Sequence, residues 1–242
     1  MKANILTASF AGTDAKQRPM DVRRKTALAA GLLYLLTFVS IPTLALYHSI
    51  HQPDYVIGKG PDTAVIIGAV LEIIVALAGI STAVVLFPML KKQSEIAALG
   101  LLSARILESG TIFTGVSFLL SIVTLRKGGA GADTLVTGHA LAILYDRIFL
   151  LGQSFMPAIC DLLLGYMLYQ SRLVPKTLSL IGMIGALPLL VGYFAVLFGV
   201  IERNSPLAGL SAVLVALFEF SLGIWLIVRG FNAAAPVIRQ HH

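Results

Sequence analysis

The chain has 242 residues, of which 57% are hydrophobic and 12% charged, against roughly 45–50% and about 25% in soluble globular proteins. A mean hydropathy of +0.88 leaves too little polar surface to coat a soluble core of 25.8 kDa, so the apolar surface is expected to face lipid. The formal net charge of +6 comes without a basic stripe interleaved with aromatics, which gives no ground for a nucleic-acid partner.

Residues 1–19 are polar and lack the apolar run and small-residue cleavage site of a secretory signal. They are expected to be disordered, within a basic tail at 1–24. The stretch "MDVRRKTALAAG" reads as a start in its own right, which makes Met20 an alternative initiator to Met1.

Apolar stretches follow at 27–47, 63–89, 96–125, 139–169, 177–201 and 207–228. Each reaches the roughly 20 residues that a helix needs to cross about 30 Å of hydrocarbon. No alternation of period two runs through them, so helices rather than a closed barrel satisfy the backbone in lipid. The expected fold is all-α: a polytopic six-helix transmembrane bundle over 25–230, followed by a cytoplasmic tail at 231–242.

Lys and Arg set the orientation. One side collects Lys2, Lys16, Arg18, Arg23, Arg24 and Lys25, then Lys91, Lys92, Arg172, Lys176, Arg229 and Arg239. The other holds Lys59, Arg126, Lys127 and Arg203. Both ends are therefore expected in the cytoplasm. The connections "HSIHQPDYVIGKGPD" and "RKGGAGADTLVTG" are Gly- and Pro-rich turn material on the outer side.

Ionisable residues interrupt the apolar spans: Glu72, Arg105, Glu108, Asp146, Arg147, Asp161 and Glu219. Each costs about 2.5–3.5 kcal/mol at a helix centre on insertion scales, so they are expected to face inward and share one polar network. Glu72 rides a stripe of small residues, Gly68, Ala76, Gly79 and Ala83, and Glu219 another, Ala212, Ala216 and Gly223. Arg105 and Glu108 are three apart and share a face. At 100° per residue, Arg147, Ser154, Ala158, Asp161 and Gly165 also fall on one line. A consistent wiring joins Arg105 to Asp161 or Glu108, and Arg147 to Glu72 or Asp146. Five acids against two bases leave three carboxylates without a cation, to be protonated, wetted by a cavity or bound to a cation.

Pro42, Pro157 and Pro188 fall inside spans, and Pro157 withdraws a donor from the carbonyl of Gln153. The single Cys160 reads as a small buried apolar residue, and no disulfide framework is possible. His48, His51 and His139 fall at outer span ends, a weak pattern for an outer-side metal, with interfacial histidines as the default. No HExxH, GxSxG, GxxxxGK[ST] or GxGxxG occurs, so no catalytic residues and no cofactor are assigned.

From Gly31 onward the chain resembles an uncharacterised family of bacterial membrane proteins, domain of unknown function 4386. The resemblance rests on "AGLLYLLTFVSIP", "ARILESG" and above all "LLLGYMLYQSRLVPKTLSLIGMIGA". It implies a six-helix protein of the bacterial inner membrane and attaches no activity. The reading that fits best is a proton- or cation-coupled permease for a small solute, with the bilayer as its surroundings. The alternatives are a structural or regulatory membrane protein, or an intramembrane enzyme acting on a lipid.

Overall fold

The computed structural model describes residues 21–52, 55–58, 60–128, 131–203 and 205–239; the tail predicted to be disordered lies almost wholly outside them. The described residues fold into helices without a strand. In chain order these are α1 (Val22–Thr37), the short α2 (Thr43–Leu46), α3 (Thr63–Leu90), α4 (Glu95–Lys127) and α5 (Ala132–Leu150). They are followed by α6 (Met156–Ser171), α7 (Lys176–Leu197), α8 (Pro206–Val228) and the short α9 (Pro236–Arg239). A π-turn, Leu151–Phe155, joins α5 to α6 without interruption.

Five of these units are long and apolar enough to cross a membrane: α3, α4, the α5–α6 rod, α7 and α8. Their bounds follow the hydropathy reading within a few residues, except that the α5–α6 rod begins at Ala132, seven residues before the predicted 139. Ser94 and Ser205 accept from the amides of Ala97 and Ala208 to start α4 and α8, the latter with Pro206 in its first turn. At the end of α7, Gly199 at φ 71° lets Val200 N–H reach the Ala195 carbonyl and Gly199 N–H that of Val196. That Schellman turn stops the helix at Leu197, short of the predicted 201. Pro188 is accommodated inside α7, which runs through it without a break.

The first predicted span differs most. Instead of one helix over 27–47, α1 ends at Thr37, a 3-10 turn follows at Phe38–Ser40, and the chain bends before α2. Pro42 explains the break: it has no N–H to give, and its ring excludes the carbonyl four residues back, that of Phe38. Hydroxyls take over the freed acceptors. Thr37 donates to the Tyr34 carbonyl at 2.7 Å, Ser40 to that of Thr37 at 3.1 Å and Thr43 to that of Ser40 at 2.7 Å.

The helices close on one another through glycines. α1 meets α8 where Gly31 faces Gly223; a methyl group on Gly31 would lie 2.7 Å from the Gly223 carbonyl oxygen. Gly165 on α6 approaches the Ser179 carbonyl on α7 in the same way, and Gly185 on α7 meets Leu214 of α8. The Arg24 guanidinium donates to the carbonyls of Leu226 and Ile227, capping the end of α8 from α1.

Packing differs between the two ends of the bundle. One end holds the α3–α4 and α6–α7 turns and is filled by Tyr34, Leu86, Leu90, Leu101, Leu164, Leu168 and Leu222 among others. The segment predicted as a tail joins this cluster, with Ala235, Val237 and Ile238 buried and Asn232 N–H donating to the Leu173 carbonyl at 2.9 Å. At the other, loop end, Tyr47, Tyr55, Val65, Leu119 and Tyr145 form a separate core. There Arg126 pairs with Asp62 at 2.6 Å and donates to the Gly58 carbonyl, tying the loop after α2 to α4.

The glycine contacts can be checked by a pair of alanines. Gly31→Ala is expected to lower the melting temperature in detergent, with a cost of about 1–3 kcal/mol from overpacking against backbone. Gly110→Ala, where nothing lies within 4 Å, is expected to be neutral or slightly stabilising.

Candidate functional site

Arg105 stands on α4, one helical turn before Glu108, so the two side chains project together into the bundle. Its Nη1 donates to both Glu108 oxygens at 3.1 and 3.0 Å, and its Nη2 to Glu219 Oε1 of α8 at 2.7 Å. The Arg105 side chain is only 4% exposed, that of Glu108 10% and that of Glu219 14%, so this is a desolvated ion triad that ties α4 to α8. The Tyr34 ring of α1 stands over the guanidinium at 5.9 Å. Cys160 of α6 is buried as predicted, and its Sγ donates to Glu108 Oε2 at 3.5 Å.

Asp161 is fully buried beside this triad, on the same helix as Cys160. Neither of its carboxylate oxygens has a hydrogen-bond partner, and Arg105 Nε is likewise unpaired. Of the two partners expected for Arg105, Glu108 is taken and Asp161 is not, and Glu219 adds a third carboxylate to the set. Glu72 lies on α3 and is satisfied differently: its Oε1 accepts from Tyr145 OH at 2.9 Å and Gln153 Nε2 at 3.2 Å, while Oε2 is buried without a partner. The Tyr47 hydroxyl is also buried and unpaired, and its ring packs edge-on against Tyr145.

Two of the expected network residues lie elsewhere. Arg147 is exposed and makes no ion pair among the described residues, and Asp146 binds Arg203 Nη2 at 2.8 Å and His51 Nε2 at 3.0 Å at the loop end. The π-turn is the reason. It inserts an additional residue between α5 and α6 and rotates everything before it by about 100°, which turns Tyr145 inward and Arg147 outward. Close packing accompanies the turn: Gly152 within it lies against Thr111 and the Glu108 carbonyl of α4.

The weak metal pattern does not assemble. His51 spends Nδ1 on the Tyr47 carbonyl and Nε2 on Asp146, His48 meets Gln52 at 3.2 Å, and His139 is exposed on α5. Among the described residues no three His, Cys, Asp or Glu side chains gather in a way that would hold a metal ion.

One cavity reaches the triad and another borders it. The bordering cavity, of about 670 Å³, opens at the loop end and is lined by Tyr47, His51, Tyr145, Tyr193 and Arg203. The other, of about 190 Å³, reaches Arg105, Glu108 and Glu219 and is bordered on one side by Phe38, Ser40 and Ile41 of the α1–α2 break. The two share Gln153, Leu189 and Ala212 as walls. Gln153 is therefore a hinge of the site, touching both spaces and Glu72. Sequence reading missed it, as it missed Tyr145, because a single Tyr or Gln in an apolar segment carries no distinctive pattern.

A family profile described as domain of unknown function 4386 matches residues 29–230. No curated protein and no solved structure is similar enough to match the chain.

Removing Arg105 leaves Glu108 and Glu219 buried without their cation. Arg105→Ala is expected to cost about 3–5 kcal/mol, seen as loss of the folded peak in detergent chromatography. At the loop end, the hydrogen bond to Asp146 holds the His51 imidazole above its ordinary 6.5, against partial burial and Arg203. A raised value means that the protonated form stabilises the clasp fully below the ordinary value and fades as pH rises through the raised one. Hydrogen exchange of residues 48–52 is thus expected to quicken from about pH 6 to 9 beyond the intrinsic rate. His51→Gln should remove that additional dependence.

Proposed function

The chain belongs to the family of domain of unknown function 4386, whose description attaches no activity, and on the geometry of its polar core we propose that it is a membrane permease for a small solute, coupled to protons or cations. The observation that carries this reading is the pair of cavities that meet at Gln153, Leu189 and Ala212 and end on Arg105, Glu108 and Glu219. A network that only specified packing needs no such approach from outside.

The charge balance supports it. Among the described residues the carboxyl groups of the core, Glu72, Glu108, Asp161 and Glu219, outnumber the one buried base, Arg105. The excess negative charge is balanced by bound protons or by a cation, and either can be exchanged through the cavity. The opposite half of the bundle is filled with apolar side chains, so the arrangement corresponds to a state open toward one face only. Alternating access requires a second state in which that packing parts, and the helix break at Phe38–Pro42 and the π-turn at Leu151–Phe155 are the places where the backbone is already irregular.

In this reading α1, with its broken continuation, serves as a sixth spanning element beside the five long ones. Both ends then lie in the cytoplasm, by the distribution of Lys and Arg, and the cavity opens outward from a bacterial cytoplasmic membrane.

Two measurements test the proposal. In proteoliposomes carrying an internal pH dye, small solutes of different charge are added under an imposed pH gradient. Wild type is expected to move protons with at least one class, and Glu108→Gln or Glu219→Gln to lose at least tenfold. In intact cells, a cysteine placed at Ala212 should react with an impermeant thiol reagent from outside, whereas one at Leu164 should not. Proton movement unaffected by either Gln substitution, or an unreactive Ala212→Cys, would count against a permease and leave a structural role.

A further inference from the structure

A third cavity, of about 720 Å³, lies at the end of the bundle remote from the polar passage, between the α6–α7 turn and the end of α8. Its wall carries Arg172, Lys176 and Arg229 with Trp225 and Phe231, and no carboxylate. None of the three cations makes an ion pair among the described residues. We infer that this cleft binds the phosphate-bearing headgroup of an anionic phospholipid.

The cleft is built rather than incidental. Arg172 closes α6 in the left-handed region, at φ 55° and ψ 28°, a conformation that L side chains adopt reluctantly. Its carbonyl accepts from Asn232 Nδ2 at 3.3 Å, and Asn232 N–H binds the next carbonyl, that of Leu173. The segment after α8 is thereby folded back as a wall, held by the burial of Val237 and Ile238. Lys176 begins α7, whose first turn has no side-chain cap, and its Nζ lies 4.8 Å over the Tyr169 ring. The Trp225 indole nitrogen is buried without an acceptor. Uncapped amides and three exposed cations are donors to a single kind of ligand, one with anionic oxygens.

Position and shape select a lipid. The cleft sits where α7 starts and α8 ends, at the level of the headgroups, with a tryptophan at the boundary as in other membrane proteins. Its volume lies within the range of roughly 300–1,000 Å³ typical of ligand sites. On the lipid-facing side, Ile224 and Val228 of α8 and Leu180 of α7 are exposed, an apolar surface for acyl chains. A free phosphate has no use for it.

The test uses the full chain purified in zwitterionic detergent and titrated with phosphatidylglycerol, phosphatidylcholine or inorganic phosphate, reading melting temperature and lipid retained in native mass spectrometry. Phosphatidylglycerol is expected to stabilise and to be retained, with phosphatidylcholine and inorganic phosphate near baseline. The combined variant Arg172→Gly, Lys176→Gln, Arg229→Gln should weaken phosphatidylglycerol binding at least fivefold; glycine suits the left-handed position, so the turn survives. The control pair Lys91→Gln, Lys92→Gln removes two cations from the neighbouring α3–α4 turn and should leave it unchanged. Equal loss in the control, undiminished binding in the combined variant, or the same stabilisation by inorganic phosphate would each overturn the lipid site.

Discussion

A guanidinium 4% exposed among helices has lost most of its hydration, so its counter-charges must come from the protein. Arg105 takes Glu108 from its own helix and Glu219 from α8. That requirement organises much of the bundle. α4 and α8 are not neighbours in sequence, and the side chains that join them are charged: the link is the single Arg105–Glu219 ion pair at 2.7 Å rather than interdigitating leucines. The close approaches around it, Gly31 to Gly223 and Gly185 to Leu214, bring α1 and α7 against α8 tightly enough to exclude lipid from the triad. Asp161 is the cost of that arrangement: the position opposite the guanidinium is filled by Glu219, and the fully buried Asp161 carboxyl lies against Glu219 instead of a base.

The π-turn has a comparable reach. Without it, α5 and α6 would form one regular helix with Arg147 and Asp161 on the same face. With it, Tyr145 and Gln153 bind Glu72, and Asp146 is released to clasp His51 and Arg203 at the loop end. Pro157 fits this change, because it stands in the first turn of α6 where its missing N–H follows an already irregular backbone. One inserted residue thus separates the deep polar core from the clasp at the cavity mouth.

Much of this was legible in the sequence. Five long apolar helices, their bounds and the Arg105–Glu108 face follow from hydropathy and a spacing of three, which depend only on local geometry. Inward placement of Glu72, Asp161 and Glu219 follows from the cost of charge in lipid. Partner choice does not, because it depends on the rotation of one helix against another. Arg147 was misplaced for that reason: the phase of 100° per residue holds only while the helix stays α, and "LGQSF" carries no mark that it turns π. The first span was misread in its continuity, although Pro42 was visible, because hydropathy registers composition and is indifferent to whether the backbone hydrogen bonds run on.

The two halves of the molecule carry opposite chemistry, and that contrast is what links the fold to the proposed activity. Toward the loop end the helices leave a cavity lined by tyrosines, two histidines and an arginine, adjoining a smaller one that reaches Glu108 and Glu219; toward the other they are packed with leucines and closed by the folded-back segment of Val237 and Ile238. A charge network placed where the cavities end and the apolar packing begins is in contact with both. Any ion or proton that reaches Glu108 or Glu219 changes the electrostatic balance of Arg105, and Arg105 is what fixes α4 to α8. Binding from the open side therefore acts directly on the contact that would have to loosen for the closed side to open, which is the physical coupling that a driven permease needs.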